Sequence, residues 1–187
     1  YQSDTNYQQE IETELKKVDQ SLSPFNKTSV ITQVNQGKDI EVDEMFTEVF
    51  RMAESISKET NGAFDITVAP MVNLWGFGFK QGVPPTKAKI DSIKTLVGHE
   101  KVALEKGRII KQNPKIMLDC SAIAKGYGSD IVARFLKKKG ISNFMVEIGG
   151  EIVVNGVSEK QVPWHIGINK PTDDSTNTSQ EIQDVLD

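Results

Sequence analysis

The sequence predicts an α+β domain in which a mixed, largely antiparallel sheet packs with helices, and three observations carry that prediction. Stretches with helical apolar spacing alternate with hairpins and short strands, not with the regular strand–helix–strand units of a doubly wound sheet. The 187 residues make one domain at the usual ~100–200 residues per domain. A hydrophobic content of 37%, before the 14 glycines are added, brings the apolar share near that of ordinary globular proteins and is enough for a core.

The elements follow in order. Ile11, Leu15, Val18 and Leu22 share one face of a first helix from Tyr7 to Leu22, with Glu12 placed to pair with Lys16 and Ser23-Pro24 as the stop. Phe25 to Ser29 reads as a loop, and Ser29 caps a short helical turn through Val34. Asp43 is the N-cap of a helix to about Thr60, with Phe46, Val49, Phe50, Ala53 and Ile56 inward and Asn61-Gly62 as its end. Phe64 to Val68 then has the pattern of a short strand, interrupted by Pro70. Asn73 to Phe79 is aromatic and glycine-rich without a period, a packed loop or a ligand-facing surface. Thr86 caps a short helix through Ile90, Ile93 and Leu96, ended by Gly98. Val102–Leu104 and Arg108–Lys111 form a hairpin over Lys106-Gly107, and Ile116–Asp119 a further strand. The stretch Asp119 to Gly126 leads into a helix with Ile131, Val132, Phe135 and Leu136 inward and Gly140 beyond its basic last turn. Phe144–Ile148 and Glu151–Asn155 are strands broken by Gly149-Gly150, and Trp164–Ile168 is another. Thr172 to Gln180 reads as a loop, after which Ile182, Val185 and Leu186 resume an apolar pattern.

Composition excludes several function classes. With 22 Lys and Arg against 26 Asp and Glu the net charge is −4, a field that repels nucleic acid and anionic lipid, so no nucleic-acid partner is expected. The single cysteine, Cys120, makes neither an internal disulfide nor a thiolate-rich zinc site. Nothing approaches the ~20 apolar residues of a membrane span. His99 and His165 stand far apart without carboxylates at ligand spacing, so neither points to a metal site or a hydrolytic triad.

Two stretches have the chemistry of a site. Around Asp119 and Lys125 a helix start offers unpaired N–H groups and a partial positive charge, to which Lys125 adds a cation and Gly126 and Gly128 add room, a seat for a phosphate or pyrophosphate. The glycine and lysine spacing is not that of a P-loop. A capped helix with a solvated lysine explains the same residues. In Asn61 to Thr67, Gly62 calls for positive φ and Asp65 stands beside it, as a hydrogen-bond acceptor for a heterocycle or sugar or as a turn former. Trp75, Phe77 and Phe79 have the flat faces to stack on a ring, or fill irregular core. Cys120 beside a helix start is read as a small buried side chain, not a nucleophile.

Taken together, five blocks resemble the ApbE family. They are Leu22 to Ile31 (LSPFNKTSVI) with Asn35; Thr60 to Gly78 (TNGAFDITVAPMVNLWGFG); Leu118 to Asp130 (LDCSAIAKGYGSD); Glu147 to Glu151 (EIGGE); and Pro163 to Ile168 with Lys170-Pro171. The family consists of bacterial FAD:protein FMN transferases, formerly called thiamine biosynthesis lipoproteins. The resemblance implies an ApbE-like fold and a Mg²⁺-dependent transfer of FMN from FAD to a Thr hydroxyl of an acceptor flavoprotein, with AMP leaving; some members instead hydrolyse FAD to FMN and AMP. It implies that Phe25 stacks on the flavin, where many members have Tyr. Ala63, Phe64 and Asp65 line the FAD site, Asp119 and Lys125 contact FAD as the catalytic positions, and the Ala122 carbonyl helps coordinate Mg²⁺. It also implies an exported periplasmic or cell-envelope location, with membrane attachment only through a lipid anchor outside residues 1–187.

The sequence departs from the family at three places. A Met-Gly-Thr strand, a His-Ile-Ile-Asp-Pro-type segment and the Ala-Asp-Ala…Thr segment that completes the metal site are not found. The expectation is therefore a single ApbE-like domain over residues 1–187 that stops short of its metal-binding segment and is inactive alone. The rival expectations are a flavin-binding or carrier protein, an FMN acceptor, and a structural or interaction module.

Overall fold

The computed structural model describes residues 1–77, 85–171 and 182–186. Helix α1, Gln8–Leu22, and helix α6, Ser121–Lys138, pack along each other and tie together two hydrophobic clusters. In the first, Val18 and Leu22 of α1 and Tyr127 of α6 meet Ile31 and Val34 of α2 (Val30–Asn35) and Phe46, Val49, Phe50 and Ala53 of α3 (Glu44–Glu59). In the second, Val132, Ala133 and Leu136 of α6 pack with Phe144 and Val146 of strand β3 (Phe144–Ile148), and Ile11 and Leu15 of α1 close over them. The heptad-like face read in the first helix is thus shared between two cores.

Three helix starts, those of α2, α3 and the later α5 (Lys87–Lys94), are capped by the residue the sequence predicts. The Ser29 hydroxyl accepts the Thr32 N–H at 3.2 Å, and Asp43 Oδ1 accepts the Phe46 N–H at 2.7 Å together with the buried Ser21 hydroxyl at 2.8 Å. At the end of α3, Asn61 and Gly62 have φ of 50° and 80°, the left-handed exit that the Asn-Gly pair favours. Thr86 caps α5, Lys87–Lys94, which stops two residues before Leu96.

The strands form three separate antiparallel pairs among the described residues. Strands β1 (Val102–Glu105) and β2 (Arg108–Lys111) turn at Lys106-Gly107, and β3 (Phe144–Ile148) and β4 (Glu151–Asn155) at Gly149-Gly150. Both turns use positive φ at both central residues, the geometry whose twist matches the flanking strands. Strand β5 is Ile166–Asn169, later than the predicted Trp164 start, and pairs with β6, Ile182–Leu186. The Trp164 indole N–H instead donates to the Asn155 carbonyl at 3.2 Å, which holds that residue outside the ladder. The predicted Thr172–Gln180 loop and Phe79 lie outside the described residues.

Two predicted strands are not strands. Within Phe64–Val68, residues Ile66–Val68 form a 3-10 turn that runs into α4, Ala69–Leu74. Asp65 Oδ1 accepts both the Thr67 N–H and the Thr67 hydroxyl at 2.7 Å, which bends the chain, and Pro70 sits in the first turn of a helix, where a missing N–H costs nothing. Helix α4 also takes Asn73 and Leu74 out of the predicted loop. Ile116–Asp119 keeps a strand's alternation, Ile116 and Leu118 being buried, but has no ladder partner among the described residues. Helix α6 begins at Ser121, so Ala122 and Lys125 belong to its first turns instead of to the connecting loop.

Helix α6 is pinned to α3 by one ionic cluster. Arg134 donates from both terminal nitrogens to Glu48, at 3.0 and 2.7 Å, and the Tyr127 hydroxyl donates to Glu48 Oε2 at 2.8 Å. The Arg134 hydrogen bonds, helped by that of Tyr127 and against partial burial, hold the Glu48 carboxyl below its ordinary value of 4.5. Burial, then the bond to Glu48, pushes the Tyr127 phenol above its ordinary value of 10.0. A lowered carboxyl stabilises the fold above its unfolded value and loses that contribution as pH falls through the folded one, while a raised phenol contributes below its unfolded value and loses it at higher pH. Melting temperatures of Glu48→Gln should therefore fall less than those of the parent as pH drops below about 4.5. The Glu48 side chain is 37% exposed, so solvent screening keeps the effect modest.

Candidate active site

The floor of the site is the extended segment Met117–Asp119. It is held from two sides without a strand partner: Asn35 at the end of α2 exchanges two hydrogen bonds with the Leu118 backbone, at 2.7 and 2.8 Å, and the Asp119 N–H donates to the Ile66 carbonyl at 2.7 Å. Asp65 caps the turn that presents this carbonyl, so it braces Asp119 from behind. Its partner Thr67 in turn accepts the Gly98 N–H at 2.7 Å, a contact that fixes the fully buried hydroxyl.

Asp119 Oδ1 accepts the Ser121 N–H at 2.7 Å, satisfying one unpaired amide at the start of α6 with a negative charge at the positive end of the helix. Cys120 is 1% exposed, and burial, with the Asp119 charge beside it, pushes its thiol up to about 12. It is a core side chain at neutral pH, as its small size and apolar setting suggested. One turn further, Lys125 Nζ donates to the Gly149 carbonyl at 3.1 Å and stands 3.6 Å from Glu151 Oε1. The lysine thus rests on the β3–β4 turn.

Opposite Asp119 stands the loop that displays Phe25. Asn26 organises it, donating to Asp19 Oδ2 at 2.6 Å and accepting the Thr28 N–H at 3.0 Å. The Ser29 hydroxyl donates to the Ser23 carbonyl at 2.7 Å, and that of Thr32 to the Asn26 carbonyl at 2.8 Å. The Phe25 side chain is 72% exposed and Phe77, past the end of α4, 85%. Both line a concavity of about 150 Å³ whose walls also include Asn35, Asn73, Leu118, Asp119 and Ser121. Binding pockets for drug-sized ligands are roughly 300–1,000 Å³, so this concavity takes one portion of a large ligand, and its aromatic edges and single carboxylate suit a flat, hydrogen-bonding ring. A larger hollow of about 750 Å³ lies elsewhere, beside Tyr1, Asn143, Trp164 and His165. It contains none of the FAD or metal positions read from the sequence, so the smaller concavity is the better candidate.

The ApbE family model matches residues 1–187. The chain belongs to the ApbE family. It is 38% identical over 181 residues to the FAD:protein FMN transferase of Vibrio cholerae, covering 94% of this chain and 54% of that protein. Against the enzyme of the same name from Haemophilus influenzae it is 40% identical over 174 residues, covering 88% and 50%. Among solved structures, the flavin transferase ApbE from Vibrio cholerae superimposes with a TM-score of 0.85 at 37% identity, over 91% of this chain and 57% of that one. The apbe protein of Thermotoga maritima gives 0.81 at 25% identity, over 99% and 61%. The chain spans about half the length of the curated relatives it matches.

Within this ApbE fold the sequence-predicted residues divide. Phe25 and Asp119 meet at the concavity. Ala63, Phe64, Asp65, Ala122 and Lys125 are not on its wall. Asp65 acts here through its cap and the Ile66 carbonyl, and Lys125 faces the Gly149 turn. Ala122 is in the first turn of α6, and among the described residues no three His, Cys, Asp or Glu side chains group as metal ligands. Mg²⁺ wants near-octahedral oxygen donors, which one helical carbonyl does not provide, so the described residues do not by themselves fit that ion. In the sequence Phe77 is one of three aromatics able to stack on a ring or fill core, and Asn35 only part of a motif; a position at or just past a helix end carries no local signal that places either at the concavity.

Proposed function

We propose that this protein transfers FMN from FAD to a Thr hydroxyl of an acceptor flavoprotein. The observation that carries the reading is that one concavity joins the exposed Phe25 ring to Asp119 at the start of an 18-residue helix, in a chain about 38% identical to FAD:protein FMN transferases. The flat ring system of FAD enters between the aromatic edges, and its phosphates lie toward α6, whose N-terminal end favours negative charge. Lys125 exchanges the neutral Gly149 carbonyl, and its long, solvent-screened approach to Glu151, for a phosphate oxygen, because close hydrogen bonds between ionised partners are roughly twice as strong as neutral ones. The acceptor oxygen bonds to the FMN phosphorus, the pyrophosphate P–O bond breaks, AMP departs and the hydroxyl proton passes to solvent. Catalysis of this kind is mostly positioning and charge stabilisation. Mg²⁺ belongs to the reading through the family resemblance. The same resemblance supports an exported, lipid-anchored location.

The test incubates the full-length protein with FAD, Mg²⁺ and a Thr-containing acceptor, and reads covalent FMN by intact mass and AMP by chromatography. Equal amounts of adduct and AMP, both lost with EDTA, are expected. AMP without adduct would replace transfer by FAD hydrolysis, and the absence of both products would overturn the proposal altogether. Lys125→Ala should lower the rate roughly 10- to 100-fold, the loss of one charged hydrogen bond.

A further inference from the structure

Asn35 spends its side chain on one residue 83 positions away. Its Oδ1 accepts the Leu118 N–H at 2.7 Å and its Nδ2 donates to the Leu118 carbonyl at 2.8 Å. This is the pairing a neighbouring strand would make, supplied by one amide. Only Asn has both a donor and an acceptor at this reach: Asp lacks the donor, and Gln is a methylene longer. Asn35 also terminates α2, the helix to which Ser29 and Thr32 tie the Phe25 loop. The two facing walls of the concavity pack through the first cluster, and the Asn35 amide adds the directional hydrogen bonds that fix the Leu118 backbone against α2.

Resting on the flavin-transfer reading, we infer that Asn35 is a positioning residue that fixes Asp119 against the Phe25 wall and so sets the slot for the ring portion of FAD. One donor and one acceptor of its amide are committed to Leu118, so it acts through the segment it holds. Small displacements of such a segment carry large costs in binding and rate.

The experiment is a double-mutant cycle on the full-length protein, with FAD affinity read by flavin fluorescence well below each variant's melting temperature. Asn35→Ala should weaken FAD binding by roughly tenfold or more, and the same change made in an Asp119→Ala background should shift it by less than about threefold, because the two act as a unit. The FAD KM should rise while the acceptor KM stays put. If Asn35→Ala does not fold, the isosteric Asn35→Asp, which keeps the acceptor and loses the donor, carries the same expectation. Single variants within about twofold of the parent, or losses that simply add in the double variant, overturn the inference. A parent that does not bind FAD overturns the flavin reading before any substitution is made, so the two failures are distinguishable.

Discussion

Alanine at Leu118 should lower the unfolding free energy by about 3–5 kcal/mol, in the upper part of the range of ~2–5 kcal/mol for buried Leu→Ala changes. Leu118 is 1% exposed in the first cluster, and the size of such a loss depends on how far the surroundings collapse into the space left. Here they cannot collapse freely, because the Leu118 backbone is held by Asn35 and the next amide by the Ile66 carbonyl. Urea titration should show a lower midpoint at an unchanged slope. A midpoint near that of the parent would mean that the clamped segment moves more easily than its hydrogen bonds indicate.

Gly156→Ala should destabilise by about 2–5 kcal/mol, combining a left-handed penalty of ~1–2 kcal/mol with overpacking of ~1–3 kcal/mol. Gly156 has φ of +68°, and a Cβ there would lie 2.4 Å from the Ser142 carbonyl and 2.1 Å from Asn143 Oδ1. Neither neighbour is free to leave. The Ser142 carbonyl accepts Asn155 Nδ2 at 2.6 Å, and Asn143 Oδ1 accepts the Val157 N–H at 3.1 Å. Gly37, with φ of +74° and open space around its Cβ position, is the control: alanine there should pay only the conformational part. Similar melting temperatures for the two variants would remove the steric component of the argument.

These sites also show what a sequence does and does not make legible. Helices α1 and α3 were readable because periodicity, cap and stop agree: Asp43 and Asn61-Gly62 bracket one apolar face. The β1–β2 and β3–β4 hairpins were readable because Lys106-Gly107 and Gly149-Gly150 dictate the turn. Each misread segment is decided by a single polar side chain. Alternation at Ile116–Leu118 reports which side chains face the core, whereas a strand also needs a partner, and the partner here is the amide of a residue 83 positions earlier. At Phe64–Val68 a single carboxylate, Asp65, bends a stretch whose composition favours extension. Phe25 and Asp119 were legible as a pair only through the ordered blocks of the ApbE resemblance, since local physics gave each an ordinary alternative. The resting partner of Lys125 was not legible, because it depends on how a hairpin turn docks against a helix.

The sealed thiol between Asp119 and Ser121 gives the chain a built-in clock. Cys120 is the only cysteine, and with its acidity pushed to about 12 and its surface covered, a thiol reagent must wait for the start of α6 to lift from the segment below it. The labelling rate at neutral pH therefore counts openings of the site floor without an added probe, and any molecule that binds across that floor slows the count.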